Sequence, residues 1–414
     1  MTNHRTLTRY RNLRPVLSLA LGLALSWTSH VVCAQSSYVM TVLKSPSARP
    51  VKGVAIDPQN RVLGSAEYLA SLNVFGFQYV DRAVRWPAST LTSVSPSKLA
   101  ADGQTGRLSA ASADGSKIIV AMGSGMIYDA NTGRLLDGFN PAPTIIGSPE
   151  TTYWNRPKIT NAAKVVANYG RSSGQEDGRI GVWVADGSSK VGTSLPFYPY
   201  VGAYSGGVTG QGTVLGAVYA QDVPVARAAI WVDGVLQVID SQSARGSVAV
   251  ASNQTGQVLL STAPLTVRIY VDEALGQTFK NIVYGAPSAV VSFNGVETPI
   301  KTVNANEVTV PLAMNASGVV VGRMGQAGQD LSYSNSGHID HILYPAIADK
   351  TARAFIWRNG VTSDLTAWVA AKGAKLPTGA VLTDAVAIND SGSIVATMRS
   401  AAGAFSVVRL TAKP

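Results

Sequence analysis

The sequence predicts an all-β protein, a β-propeller of about seven four-stranded blades, with six or eight blades as the neighbouring possibilities. Two interleaved motifs and the composition lead to this prediction. The chain has 414 residues, of which 46% are hydrophobic and only 14% are charged, and it contains 40 glycines. Low charge with abundant glycine is typical of many short strands joined by tight turns, and it argues against a helical protein.

The first motif is a β-hairpin that recurs along the chain. Its clearest copies are "AMNASGVVVGR" (Ala313–Arg323) and "AINDSGSIVAT" (Ala387–Thr397). A polar residue that bonds its own backbone, followed by a glycine that supplies a positive φ, is what a hairpin turn requires. The turn position falls at Asn60, Gly115, Ala163, Gly212, Gly256, Gly318 and Gly392.

The second motif ends in a tryptophan. It occurs as "RAVRW" (Arg82–Trp86), "RIGVW" (Arg179–Trp183), "RAAIW" (Arg227–Trp231) and "RAFIW" (Arg353–Trp357). Three copies run into a turn and another short strand, so one period holds four short strands in roughly 50 residues, as a propeller blade does. The shared position predicts that these tryptophans pack between adjacent sheets.

Both ends of the repeat array fit closure of a ring. "SYVMTVL" (Ser37–Leu43) is a strand before the first hairpin, and "AFSVVRLTA" (Ala404–Ala412) follows the last one. One sheet completed by both segments would remove an open edge. An open β-solenoid and two separate β-domains are the alternatives. We expect a short helix of a turn or two at Ser65–Phe75 and another at Thr366–Lys375.

The N-terminal segment is typical of a secretory signal. Four arginines without an acid precede the apolar run "PVLSLALGLALSW", and "VVCAQ" predicts cleavage after Ala34. A membrane anchor and a lipoprotein modified at Cys33 are the alternatives, but the apolar run is shorter than the roughly 20 residues that span a bilayer. Residues 1–34 are therefore the predicted signal peptide and 35–414 a single propeller domain. We expect it to be periplasmic or extracellular, without a transmembrane segment or a thiol in the mature chain.

The alternation of "RAFIW" with "AVAINDSGSIVA" resembles the bacterial probable extracellular repeat family, the HAF repeats. The resemblance covers nearly the whole mature chain and is weakest in the third repeat. It implies a secreted protein with a propeller-like array and no established chemistry.

Few sequence patterns point to catalysis. The chain has no G-x-S-x-G and no P-loop, and no dense Lys/Arg cluster follows the signal segment, so we expect no cofactor and no specific nucleic-acid binding. Asp129–Gly138 begins like a calcium loop but lacks its closing Glu, and a hairpin turn is the simpler interpretation.

The candidate site residues fall into two groups. His338, Asp340 and His341 in "SGHIDHILYPA" are metal-ligand candidates if the segment forms a convergent loop, and an ordinary surface loop is the alternative. The candidates for stacking on a sugar are Trp154, Trp368, Tyr198 and Tyr200, which lie outside the tryptophan repeat position and for which packing is the alternative.

The sequence favours a secreted, non-catalytic binding or envelope-associated propeller whose partner is a polysaccharide or an envelope protein. The alternative is a secreted glycan-degrading hydrolase or lyase with carboxylates at the mouth of the propeller channel. An aromatic surface without clustered acids would favour binding. Two or more carboxyl groups with raised pKa in a deep pocket would favour catalysis.

Overall fold

A computed structural model describes residues 37–73, 76–89, 91–99, 105–121, 125–138, 144–145, 153–170, 178–185, 187, 191–200, 202–219, 225–240, 242, 244–272, 277–328, 342 and 347–413. The chain divides after Gln35, and all described residues belong to the second unit, Ser36–Pro414. The predicted signal peptide lies outside the described residues.

The described strands form a seven-bladed β-propeller, as the repeat predicts. The first strand, β1 (Ser37–Leu43), belongs to the last blade, and β5 (Ser93–Val94) pairs with it. Blade 1 consists of β2 (Val51–Ile56), β3 (Val62–Asn73), β4 (Gly76–Trp86) and β6 (Ser97–Lys98). Blade 2 consists of β7 (Arg107–Ala111), β8 (Lys117–Ala121), β9 (Met126–Asp129) and β10 (Leu135–Gly138). Blade 3 consists of β11 (Thr144–Ile145), β12 (Tyr153–Ile159), β13 (Lys164–Gly170), β14 (Arg179–Val184) and β15 (Val191–Ser194).

The remaining blades follow the same order. Blade 4 consists of β16 (Gly202–Val208), β17 (Val214–Tyr219), β18 (Ala226–Val232) and β19 (Val235–Val238). Blade 5 consists of β20 (Arg245–Ser252), β21 (Val258–Asp272), β22 (Gln277–Tyr284), β23 (Ser288–Phe293) and β24 (Val296–Ile300). Blade 6 consists of β25 (Glu307–Met314), β26 (Val320–Gln326), β27 (Arg353–Arg358) and β28 (Val361–Asp364). Helix α1 (Leu365–Ala371) leads to blade 7, which consists of β29 (Val381–Ile388), β30 (Ile394–Arg399), β31 (Phe405–Lys413) and β1.

The last blade closes the ring. β1 pairs antiparallel with β31, from Ser37 opposite Lys413 to Val42 opposite Val408. This confirms that one sheet combines segments from the two ends of the propeller. Blade 7 therefore receives its fourth strand from the beginning of the array, and this strand covers the edge that β31 would otherwise expose.

A buried arginine joins this last blade to the first. Arg409 in β31 is fully buried, and its guanidinium donates hydrogen bonds to the carbonyl oxygens of Asn60 and Pro87, each at 2.8 Å, and to that of Ser89. Its Nε donates to the Thr411 hydroxyl at 3.1 Å. The acceptors Asn60, Pro87 and Ser89 belong to blade 1 or to the segment that leaves it, so this side chain connects the two blades that the ring must bring together.

The repeated tryptophans pack in the core, as predicted. Trp86, Trp183, Trp231 and Trp357 all lie in the third strand of their blades, and each is at most 6% exposed. The indole N–H of Trp86 donates to the Lys44 carbonyl at 3.0 Å, so the polar end of this ring is satisfied inside the protein.

One of the two expected helices forms. Helix α1 lies within the predicted Thr366–Lys375 segment apart from its first residue, and the Asp364 side chain caps it by accepting from the Ala367 N–H at 3.1 Å. The prediction for Ser65–Phe75 is wrong, because this segment extends β3, whose backbone pairs with β4 as far as the Asn73–Gly76 pair. A partner strand therefore overrides the weak local preference. None of the helices in the described ranges has the length and apolar character needed to cross a membrane.

Candidate binding site in the central channel

The predicted turns connect the innermost strand of each blade to its second strand, and they meet at one end of the central channel. All of the predicted turn residues have a positive φ, from 57° at Ala163 to 106° at Gly212. Glycine occupies five of these positions and asparagine one, as this conformation favours. The turn positions read from the sequence are therefore confirmed in every blade.

The polar residue that opens each turn holds it closed. Its side-chain oxygen accepts a hydrogen bond from a backbone N–H four residues later, or five in blade 2, over 2.8 to 3.0 Å. These residues are Asp57, Ser112, Thr160, Thr209, Asn253, Asn315 and Asn389. The preference for Asn, Asp, Thr or Ser follows from this bond, because a short side chain with an acceptor oxygen is required.

Where the turn-opening residue is asparagine, its side chain also forms a hydrogen bond to the neighbouring blade, which the sequence did not predict. The Asn389 Nδ2 group donates to the Asp57 carbonyl at 2.9 Å, and that of Asn315 donates to the Asn389 carbonyl at 3.2 Å. Asn253 reaches the Ala316 carbonyl in the same way at 3.3 Å. Each bond links one blade to the next around the channel mouth. The available signal was the choice of asparagine over aspartate, because only the amide has a donor to offer the neighbouring blade.

The turns and inner strands enclose a cavity of about 1030 Å³. In six of the seven blades, the residue that precedes the turn-opening residue by two lies at the wall of this cavity, as Ala55, Lys158, Gly207, Ala251, Ala313 or Ala387. In blade 2 the equivalent residue is Ala110, which is buried in the core instead. Strand register confirms the equivalence, since Lys158 pairs with Val166 as Ala55 pairs with Leu63 and Ala387 with Val395. One lysine therefore stands in a ring otherwise made of alanine and glycine.

The strand that carries Lys158 is also irregular. A β-bulge interrupts the inner strand of each blade near its turn, and in blade 3 it leaves two residues, Arg156 and Pro157, between the paired residues Asn155 and Lys158. Arg156 has φ 51°, and Pro157 has no N–H to give to the ladder. Bulges of this kind redirect the side chains that follow them, so the local sequence presents Lys158 to the channel.

The environment of Lys158 opposes its charge. Burial lowers the pKa of the Lys158 amine, and the positive charges of Arg156 and Lys52 lower it further. No residue in the described part of the chain forms a hydrogen bond or an ion pair with this amine. Arg156 itself donates to the Tyr204 hydroxyl and lies over that ring at 5.7 Å. The wall of the channel therefore contains a half-buried lysine whose charge is opposed by two other cations and whose amine is not paired with an acid of the described residues.

The carboxylates at the channel mouth are engaged in the turns. The Asp114 carboxylate accepts from the Ser112 hydroxyl at 2.6 Å and from the Ser116 N–H and hydroxyl at 2.9 Å each. Burial alone would raise the pKa of Asp114, but these bonds and the charge of Lys117 outweigh it and lower the pKa. Asp390 accepts from the Ala316 N–H at 2.8 Å. Both acids therefore stabilise turns, which differs from the free, paired carboxyl groups that glycan cleavage uses.

The predicted sugar-stacking residues lie on different parts of the ring. Trp368 in α1 is half-buried, with its ring centroid 5.1 Å from that of Tyr38 in an edge-to-face contact and the Lys372 Nζ 4.9 Å from its ring. Tyr198 and Tyr200 lie between β15 and β16, where Tyr198 is 89% exposed and Tyr200 packs partly against the core. Trp368 lies between blades 6 and 7 and the tyrosines between blades 3 and 4, so these residues do not form one surface, and none of them lines the channel cavity.

The other candidates fall partly or wholly outside the described residues. The backbone of Trp154 pairs with Tyr169 in blade 3, but its side chain is outside them. His338, Asp340 and His341 also lie outside the described residues. Within the described ranges, no group of three or more His, Cys, Asp or Glu residues is arranged to hold a metal ion.

The Asp129 loop forms the turn that the sequence favours. The Asp129 carboxylate accepts from the backbone N–H groups of Asn131 and Thr132 at 3.0 Å each, and it forms an ion pair of 2.9 Å with Lys117. The Lys117 hydrogen bond is the largest cause of the lowered pKa of Asp129, which is about 2. These bonds occupy the carboxylate within the β9–β10 hairpin.

No protein-family model matches the chain, and no curated protein matches it either. Among solved structures it is similar to that of TolB from Acinetobacter baumannii, with 14% sequence identity and a TM-score of 0.29. The match spans about half of the structure of TolB, 52% of each chain. The propeller assignment rests on the strand order and the closure described above.

Proposed function

We propose that this protein is a secreted, non-catalytic propeller that binds its ligand in the mouth of the central channel. The ligand is part of a polysaccharide or of an envelope protein. One observation carries the proposal: the turns of the blades converge on a cavity of about 1030 Å³ whose wall combines apolar side chains with a few polar and charged ones. A concave site with a few polar groups at defined positions is the usual form of a ligand-binding site.

The state of the acids favours binding over catalysis. Hydrolysis of a glycosidic bond requires one carboxyl group as a proton donor and a second as a base or nucleophile. At the described channel mouth, Asp114 accepts three hydrogen bonds from its own turn and Asp390 accepts one from the next blade. The lowered pKa of Asp114 also makes it a poor proton donor near neutral pH.

The sequence patterns support the cellular setting of this proposal. The arginine-rich segment, apolar run and small residues before Gln35 favour export with cleavage after Ala34. The resemblance to the HAF repeats favours the same route. N-terminal sequencing of the protein recovered from the envelope or medium of the producing cell should begin at Gln35, and a retained Met1 would contradict export by cleavage.

The binding function is tested with purified mature protein on a panel of immobilised polysaccharides, in which retention and released sugar are both measured. We expect retention without release. Ala251→Phe, which fills the channel wall, should abolish retention, and Val361→Phe, on an exposed outer strand, should leave it unchanged. Release of product would contradict the non-catalytic proposal, and full retention by Ala251→Phe would place the site elsewhere.

A further inference from the structure

Lys158 breaks the symmetry of the channel. In the other blades the equivalent position is alanine or glycine, which leaves the channel open, while blade 3 inserts a long cationic side chain. At Gly207 in blade 4, an added Cβ would lie 2.9 Å from the Val250 carbonyl oxygen, so that position requires a minimal residue for packing. The lysine is therefore the one described side chain of this ring that can reach a ligand with a formal charge.

Nothing in the described channel compensates that charge. A buried ammonium without a paired acid opposes folding, because the group loses its hydration without gaining an equivalent partner. The positive charges of Arg156 and Lys52 act on Lys158 and add repulsion. At the mouth, Asp114 is held in its own turn and Asp390 accepts a hydrogen bond from the Ala316 N–H of blade 6. An anionic ligand would supply the missing partner and would relieve the repulsion among the cations.

We propose that the central channel binds a small organic anion, with an oxyanion group of the ligand paired with the Lys158 ammonium. The oxyanion group is a carboxylate or a phosphate, since both can accept hydrogen bonds from an ammonium group. The neutral body of the ligand would contact the alanine and glycine wall and the turn residues Asn161 and Gln211, which line the same cavity. This inference rests on the proposed function and specifies the ligand chemistry of the same site.

Binding of this kind depends on the protonation state of Lys158. The ligand favours the ammonium form, and the free protein holds the pKa of Lys158 below its ordinary value. The charged groups that face or flank this amine are Arg156, Lys52, Asp114 and Asp390. Affinity should therefore fall as the pH rises through the lowered pKa of Lys158.

The test is isothermal titration of the mature protein with galacturonate, with inorganic phosphate and with galactose, the neutral counterpart of galacturonate. We expect stoichiometric binding of galacturonate or phosphate, no binding of galactose, and weaker binding of the anion when the titration is repeated at higher pH. Lys158→Met should weaken anion binding about tenfold or more, since it removes a charge-assisted hydrogen bond. Lys301→Met, at an exposed lysine of blade 5, is the matched control and should bind as the original protein does.

The Met variant should fold, because it removes an unpaired charge and keeps a side chain of similar length, so its thermal midpoint should not fall below that of the original protein. Lys158→Arg retains the charge and should retain part of the affinity. If only one of the two anions binds, it identifies the oxyanion group of the ligand as a carboxylate or as a phosphate. Failure of both anions, or equal binding by Lys158→Met, overturns the inference. If the protein still retains polysaccharide in that case, the proposed binding function is unaffected. If it neither retains polysaccharide nor binds an anion, both proposals are wrong.

Discussion

Replacing Arg409 with methionine should weaken the joint between the last blade and the first. The guanidinium is fully buried and donates to the backbone carbonyls of Asn60, Pro87 and Ser89, while methionine keeps the apolar stem and removes every donor. The variant therefore separates the hydrogen bonds from the packing of the side chain.

The size of the effect follows from the acceptors that lose their partner. A polar group left unsatisfied in the interior costs about 1 to 3 kcal/mol. Water reaches part of this region, since Pro87 is exposed, so the lower figure applies to each of the carbonyl groups. Removing the buried positive charge offsets part of this cost, since burial disfavours the charged form of Arg409 and lowers its pKa. The expected loss in the free energy of unfolding is about 2 to 3 kcal/mol.

Urea denaturation followed by tryptophan fluorescence measures this loss, since the repeated tryptophans are buried in several blades. At about 2 cal/mol/K of unfolding entropy per residue, the same loss lowers the thermal midpoint of a chain of this length by roughly 3 °C. Arg134→Met, at an exposed arginine, is the matched control and should change stability by less than about 0.5 kcal/mol. If Arg409→Met is as mild as this control, the closure role assigned to Arg409 is wrong.

Three further predictions concern the turns and the closing strand. Ala163→Gly should raise the free energy of unfolding by about 0.5 to 1 kcal/mol in urea denaturation, because Ala163 has φ 57°, which glycine adopts without strain. The pKa of the Asp129 carboxylate is lowered from 3.8 to about 2, so the carboxylate stabilises the folded state above pH 3.8 and loses that contribution as the pH falls toward 2. The stability of the original protein should therefore fall more steeply over that interval than that of Asp129→Asn. Deleting Ser37–Leu43 exposes the edge of β31 and should produce dimers or aggregates in size-exclusion chromatography.

Each of these predictions has an opposite outcome. A destabilised Ala163→Gly protein would mean that the methyl group contributes more packing than the turn conformation costs. Parallel pH profiles for Asp129→Asn and the original protein would show that the carboxylate has the same pKa in the folded and unfolded chains. A monomer of unchanged stability after deletion of the first strand would show that β31 does not need this partner.

The sequence predicted the architecture because the hairpin turns have strict chemical requirements. Positions such as Asn60 and Gly392 require a left-handed backbone, which few residues adopt, and the polar residue before them must accept a specific backbone bond. Local chemistry of this kind is visible in a repeat. The strand conformation of Ser65–Asn73 was not predicted because it depends on pairing with β4, a contact that local preference does not contain.

The site was predicted less well than the fold. The residue types that suggest a site in the sequence are aromatic residues and histidines outside the repeat, whereas the lysine at the channel wall lies inside the repeat, in "KITNAAKVVAN". Lysine at its first position, where the other copies begin with alanine or glycine, was the available signal. Its meaning could not be read without knowing that this position faces the channel, which depends on the register and the bulge of β12.

The pairing of β1 with β31 has a consequence for how the molecule reaches its final form. Residues near the two ends of the propeller must meet to form this pairing. Such distant contacts are slow to form, because the entropy of closing a very long loop is lost before the hydrogen bonds between the strands are gained. A chain still emerging from the ribosome contains β1 but lacks β31. The ring can therefore be completed only after β31 has been synthesised, and a chain stopped shortly before β31 would lack the strand that joins β30 to β1.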